Sequence, residues 1–183
     1  MSKWFAVPAL LLALPLSAQW PGDDLIGLQG RVSFPGANLS DAVGAGTPGF
    51  GLSVQTELHF ERTQSMVCAR IAMGADDWRR LGGGNRSVTG YHVGGDALYF
   101  LRDDGRDYLN GPYLIGGLEA IAWSVSAGAS DTGTSQRVLR AGGSLGFGYR
   151  LSRKTDAEVK VFVSQVDPSF KVYAAMACLN YWF

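Results

Sequence analysis

The stretch YAAMACLNYWF, residues 173–183, carries apolar side chains at every second position back from its last residue: Phe183, Tyr181, Leu179, Ala177, Ala175 and Tyr173. A period of two belongs to an extended strand with one face in apolar surroundings. The same period recurs upstream. In 139–151, Leu139, Ala141, Leu145, Phe147, Tyr149 and Leu151 oppose Arg140, Gly142, Ser144, Gly146, Gly148 and Arg150. In 159–163, Val159, Val161 and Val163 face away from Glu158, Lys160 and Phe162.

Five more runs precede these. Ile26, Leu28, Val32 and Phe34 oppose Gln29, Arg31 and Ser33; Leu52, Val54, Thr56, Leu58 and Phe60 oppose Ser53, Gln55, Glu57 and His59. A tight connection around Arg62 and Thr63 is expected to lead into Val67, Ala69, Ile71 and Met73, which oppose Cys68, Arg70, Ala72 and Gly74. After a polar loop at 76–86, Tyr91, Val93, Ala97, Tyr99 and Leu101 oppose His92, Gly94 and Asp96, and 102–107, with Asp104-Gly105, reads as a turn. The fifth run, 112–126, is apolar on both parities. Glu119 decides its phase, because a carboxylate facing lipid is costly; it points inward, with Leu114, Leu118, Ala120 and Ala122 outward. The other long connections are expected at 38–48 and 128–135, and short ones at 152–156 and Asp167-Pro168.

Eight such runs predict an all-β fold: an eight-stranded antiparallel up-and-down barrel, the smallest that closes around a side-chain-filled interior. A soluble barrel of the lipocalin kind would give the same binary pattern with an apolar interior. Two features favour a transmembrane barrel. The polar parity mixes glycine with charges of both signs, Arg31, Glu57, Arg70, Asp96, Glu119, Arg140, Arg150 and Lys160, which suits a narrow lumen only if the charges pair. With both termini on one side, Phe60, Tyr99, Tyr149 and Tyr181 fall on the outer face near that side, and Tyr91 and Tyr173 near the opposite rim, as interfacial girdles do.

Composition fits this reading. The chain of 183 residues holds 25 glycines and is 46% hydrophobic but only 17% charged. Lys plus Arg and Asp plus Glu number 16 each, so no net field draws nucleic acid. Residues 1–18 read as a signal peptide for export through the Sec route, with Lys3 as its positive region, an apolar run at 7–16, and Ser17 and Ala18 before the cut. The barrel domain is expected over 19–183. The thiols of Cys68 and Cys178 lie on strands too far apart around the wall for a disulfide, unless it crosses the lumen.

The C-terminal run ending Tyr181-Trp182-Phe183 resembles the terminal-aromatic targeting strand of Gram-negative outer-membrane proteins, and the mature length resembles the eight-stranded OmpA/OmpX-like barrel class. The resemblance spans nearly all of 24–183, in pattern alone. It implies the outer membrane as location, and the barrel-assembly machinery and periplasmic chaperones as partners during biogenesis. Leu179, Tyr181 and Phe183 are the matching assembly signal, outer-membrane lipid and lipopolysaccharide are the surroundings, and no periplasmic peptidoglycan-binding module is expected to follow.

Little in the sequence carries chemistry. His59 and His92 share the inward parity, but at opposite ends of their strands, so they read as members of a polar network rather than a metal pair. Some small outer-membrane barrels modify lipid A with Ser, His and a carboxylate at the lipid-exposed rim. Here His59 and Glu61 share a parity that points inward, and no His-x-Ser element is present. Gly82-Gly83-Gly84 lacks the Lys-Ser/Thr of a phosphate loop. Trp78, Arg79 and Arg80, placed in the 76–86 loop, are the candidates for contact with an external ligand such as lipopolysaccharide phosphates. The expectation is a non-enzymatic barrel with a plugged lumen, no cofactor and no metal; a lipid A-modifying enzyme and a narrow pore are the alternatives.

Overall fold

The computed structural model describes residues 26–44, 46–59, 67–79, 87–101, 110–126 and 136–183; of Ala37, His59 and Gln136 it describes the backbone only. Each period-two run forms a strand: β1 Gly27–Gly36, β2 Gly49–His59, β3 Val67–Arg79, β4 Ser87–Phe100, β5 Gly111–Ser126, β6 Gln136–Ser152, β7 Thr155–Asp167 and β8 Phe170–Trp182. Every strand pairs antiparallel with the next. β1 pairs with β8 from Gly27↔Trp182 to Gly36↔Tyr173, which closes the barrel and leaves no free edge.

The outer face is apolar throughout its middle. Leu52, Leu118, Leu139, Leu145 and Val159 are among its most exposed side chains, each at 63% or more, a surface that water would not tolerate on a stable monomer. Tyr99, Tyr149, Tyr181 and Phe183 ring the end where β1 starts and β8 finishes, here called the terminal end; Phe34, Phe50, Tyr91 and Tyr173 are exposed towards the other, the far end. Tyr91 and Tyr99 on β4, and Tyr173 and Tyr181 on β8, are eight residues apart. At about 3.3 Å per residue and a tilt of roughly 40°, the two belts stand about 20 Å apart along the axis, matching the apolar slab of an outer membrane. On β5 the phase set by Glu119 holds: Leu114 and Leu118 face out, and Tyr113, Ile115, Ile121 and Trp123 face in.

Two boundaries differ from expectation. Residues 37–48 are not wholly a loop, since Ala37–Val43 form a helix, α1, closed by Gly44 at φ 98°. Its Leu39 and Val43, one turn apart, are fully buried against Val88, Trp123, Val166 and Val172, so α1 roofs the far end. Strand β3 runs on to Arg79, paired through Asp76↔Gly90, Trp78↔Val88 and Arg79↔Ser87, so the polar residues 76–79 belong to the wall and not to a loop. The tight connection expected around Arg62 and Thr63 falls within residues 60–66, between β2 and β3. Those two residues lie outside the described residues, as do Phe60, Glu61, Gly82, Gly83, Gly84, the turn at 102–107, the loop at 128–135 and the segment 1–18.

The remaining two connections are short, as expected. Arg153-Lys154 joins β6 to β7. At the far end Pro168-Ser169 joins β7 to β8, with Asp167 Oδ1 accepting hydrogen bonds from Ser169 N (2.8 Å), Ser169 Oγ (2.6 Å) and Phe170 N (2.9 Å). Such bonds to a turn carboxylate favour its charged form, and they hold Asp167 below its ordinary value.

Candidate functional site: the barrel interior

Alternation sends every second side chain of eight strands into one narrow lumen, and the inward sequence sorts it into two tiers. The half near the terminal end holds the charges. Arg150 on β6 grips Glu57 on β2 with both prongs, Nη1 to Oε1 at 2.9 Å and Nη2 to Oε2 at 2.6 Å. Its guanidinium lies 5.1 Å from the Phe100 ring and 5.9 Å from the Trp182 ring, where cation–π attraction adds to the pair. Trp182 Nε1 donates to Asp156 Oδ1 at 2.8 Å, and the Tyr113 hydroxyl to Glu158 Oε1 at 2.7 Å. Room for these rings comes from missing side chains opposite: a Cβ on Gly148 would overlap Tyr113, and one on Gly117 would overlap the Asp96 carboxylate.

Glu158 is the hub of the middle layer. Arg70 joins it (2.7 Å) to Asp96 (2.9 Å), and Lys160 Nζ sits 3.2 Å from both carboxylates. Asn180 donates to Glu158 at 2.9 Å and accepts from Gln29 at 2.7 Å. Above them Arg31 Nη2 lies 2.6 Å from His92 Nε2, while His92 Nδ1 lies 3.3 Å from Asp76 Oδ2. Since arginine can only donate, Nε2 accepts and the ring proton sits on Nδ1, aimed at Asp76. A cavity of ≈ 20 Å³, about one water in size, remains among Arg31, His92, Asp96, Glu119 and Lys160.

The far tier is apolar. Trp78, Trp123 and Phe162 stack at 5.9 and 6.4 Å beneath the helix roof, with Val88, Val166, Val172 and Met176 around them.

Of the inward charges singled out from sequence, the structure brings Arg31, Glu57, Arg70, Asp96, Arg150 and Lys160 into ion pairs. Glu119 faces the small cavity half-buried, with no ion pair or hydrogen bond among the described residues. Arg140 is corrected: it has the inward parity but sits exposed, its Nε donating to the Val166 carbonyl at 3.0 Å, because at that level β6 has not yet met β7, whose pairing begins at Gly142↔Ser164. Trp78 is also corrected, being wholly buried in the wall rather than offered to a ligand. Arg79 is exposed but already pairs with Asp77 at 2.6 Å, and Arg80 lies outside the described residues.

Asp76, Asp156, Glu158, Gln29 and Asn180 were missed. The parity of Glu158 and Gln29 carried the signal, whereas Asp76 and Asp156 sat in stretches read as loop and turn. Cys68 and Cys178 are both buried and free. Among the described residues no cluster of His, Cys, Asp and Glu is placed to hold a metal ion.

An all-antiparallel barrel closed by β1 and β8, with a charged lumen and an apolar, aromatic-girdled exterior, decides the fold class. The chain has the fold of the small eight-stranded outer-membrane β-barrels. Solved structures of this kind superpose over most of both chains. The N-terminal barrel domain of Pseudomonas aeruginosa OprF matches with a TM-score of 0.58 at 13% identity, covering 88% of this chain and 99% of that one. Ail, the attachment invasion locus protein of Yersinia pestis, matches at 0.53 and 14% identity, over 87% and 97%. Neisserial surface protein A matches at 0.52 and 15%, over 86% and 96%. No protein-family model matches the sequence, and no curated protein is detectably similar to it. At such identities the likeness of these outer-membrane barrels to this chain is one of fold, carried by pattern rather than by shared residues.

Proposed function

We propose that the chain is a non-enzymatic outer-membrane protein with its termini on the periplasmic side, a side-chain-plugged lumen, and a structural or surface-interaction role at its far end. The filled interior supports this most directly: a charged tier tied across the lumen by Arg150–Glu57 and Arg70–Glu158, and an apolar tier roofed by α1. An 8-stranded barrel leaves no spare diameter once large side chains occupy it. The interior His92 is engaged by Arg31 and Asp76, away from the lipid rim where a lipid-modifying enzyme would need its base.

For the surface role, Arg137, Arg140 and Lys171 stand exposed towards the far end on β6 and β8, beyond Tyr173. Cations just outside an aromatic girdle suit anionic headgroups, the phosphates of outer-leaflet glycolipid first among them. Ail, of the same fold, has been solved in complex with the heparin analogue sucrose octasulfate, a polyanion. The barrel-assembly machinery, reading Leu179, Tyr181 and Phe183, and periplasmic chaperones are the proposed partners during biogenesis.

Planar-bilayer recording tests the plugged lumen. The purified protein is expected to leave a bilayer silent, and discrete steps of ion current would instead favour the narrow pore.

A further inference from the structure

A groove of ≈ 740 Å³ crosses the outer face of the barrel over β4, β5, β6 and β7. Its upper row runs in register from Gly95 through Leu118 and Gly143 to Val163, with Gly116 and Leu145 paired in the row beneath. The upper row continues to Tyr173 on β8. Gly95 stands midway between Tyr91 and Tyr99 on β4, whereas Tyr173 belongs to the far belt, so the groove climbs from the middle of the apolar slab to the far rim. Two exposed cations stand above its upper end. Lys171 lies two residues beyond Tyr173, and Arg140 is tied to the carbonyl of Val166, three residues past Val163.

The barrel's own packing does not require the glycines of this groove. At the inward Gly142 and Gly148 a Cβ would overlap Phe162 and Tyr113, so those positions have to be bare. At Gly95 and Gly143 the atom nearest to a Cβ would be 3.5 and 3.7 Å away, ordinary contact, and at Gly116 it would be the flexible end of Leu145 at 3.3 Å. None of the three has a positive φ. Glycine weakens a strand, and where neither crowding nor backbone conformation requires it, it marks close approach from outside. Leu118 and Leu145, 77% and 73% exposed, stand up as apolar ridges beside the bare floor. The Asp167 carboxylate near Arg140 accepts the three hydrogen bonds of its own turn. An occupant of this groove is therefore slender and apolar along the floor and anionic at its upper end.

We propose that the groove seats one acyl chain of the phosphate-bearing glycolipid of the outer leaflet, with the phosphate at Lys171 and Arg140. The site rests on the reading that the barrel spans the outer membrane with its far end outside, and it adds a defined lipid seat to that reading. Polarity along the groove selects the occupant. The trough spans three strand spacings, about 14 Å, and rises towards cations just beyond an aromatic girdle, so it matches a lipid anchored from the far leaflet and not one anchored from the terminal side.

Native mass spectrometry of the full chain, folded in detergent micelles, tests this with purified lipid A as the probe and phosphatidylcholine as the comparison. The wild type is expected to retain one lipid A in preference to phosphatidylcholine. Gly95→Leu and Gly143→Leu, which fill the floor, and the double variant Arg140→Gln with Lys171→Gln should each weaken that retention at least about fivefold. Gly30→Leu is the control: it lies on β1, opposite β5 in the ring of eight, no atom lies within 4 Å of its Cβ position, and it should leave retention unchanged. Equal retention of the two lipids by the wild type overturns the proposal, as does unchanged retention in the filled variants. A dimer that the filled variants abolish also overturns it, since the groove would then belong to a second copy. Should the leucine variants fail to fold, the wild-type preference and the cation variant decide. A chain that is soluble without detergent fails the outer-membrane reading itself, whereas a detergent-dependent, folded barrel without preference for lipid A fails the lipid seat alone.

Discussion

Arg150 and Glu57 are 93 residues apart in sequence, on strands that are not neighbours, and meet across the lumen through two hydrogen bonds of 2.9 and 2.6 Å. Without Glu57, Arg150 would keep only the longer contact to Asp156, at 3.5 Å, in a buried interior. Removing one partner of such a pair costs about 3–5 kcal/mol, because the remaining charge stays buried. Glu57→Gln should therefore lower unfolding stability by about that much in a urea titration of the lipid-reconstituted protein. In a cycle with Arg150→Met, the two losses should fall short of adding, with a coupling of about 0.5–3 kcal/mol. Additive losses would mean that the pair contributes nothing as a pair.

The helix roof makes a second prediction. Leu39 is fully buried by α1 against the far tier, and truncating such a residue to Ala costs about 2–5 kcal/mol. Leu39→Ala should shift the urea midpoint accordingly, whereas Asp41→Ala, on the exposed side of the same helix, should leave it within about 0.5 kcal/mol. Equal, negligible effects of the two would place α1 outside the cooperative core.

Assembly gives a third. Leu179, Tyr181 and Phe183 all face outward; Tyr181 and Phe183 meet edge to face at 5.3 Å, and Phe183 N donates to the Ile26 carbonyl at 3.0 Å across the closing seam. Deleting Phe183 should lower the level of protein in the outer-membrane fraction of expressing cells, measured by immunoblot against total protein. Unchanged levels would remove Phe183 from any targeting role.

At the far-end turn the Ser169 hydroxyl is the chief cause holding the Asp167 carboxyl below its ordinary value of 3.8. A carboxylate depressed in this way stabilises the turn above the unfolded value, and that contribution is lost as pH falls through the lower folded value. Carbon-detected titration should place Asp167 below 3.8, and Ser169→Ala should raise it. An Asp167 midpoint that Ser169→Ala leaves in place would show that the hydroxyl is not the cause.

Particular residues show what the sequence could carry. The lipid-facing set, such as Leu145, Val161 and Leu179, was legible because period two survives even when single residues deviate, and one charge, Glu119, sufficed to phase β5. Helix α1 was hidden by its length: seven residues, with Leu39 and Val43 as one apolar pair, are too few to reveal a helical period. The run Asp76-Asp77-Trp78-Arg79 looked like loop because a wall strand beyond the apolar band is polar on its outer side. Arg140 misled for the converse reason. Parity tells which face a side chain takes, not how deep the barrel remains closed around it. The pairing of Arg150 with Glu57 was out of reach, since cross-lumen partners depend on barrel stagger as well as on alternation.

On the proposed reading, the apolar face between the two aromatic belts of the closed barrel meets lipid. The most direct measurement is gel mobility of the purified protein, boiled and unboiled, after folding into bilayer vesicles. A detergent-dependent protein whose unboiled form runs at a different apparent size from the boiled form is the predicted result. A chain that stays soluble without detergent and runs identically in both lanes would contradict it.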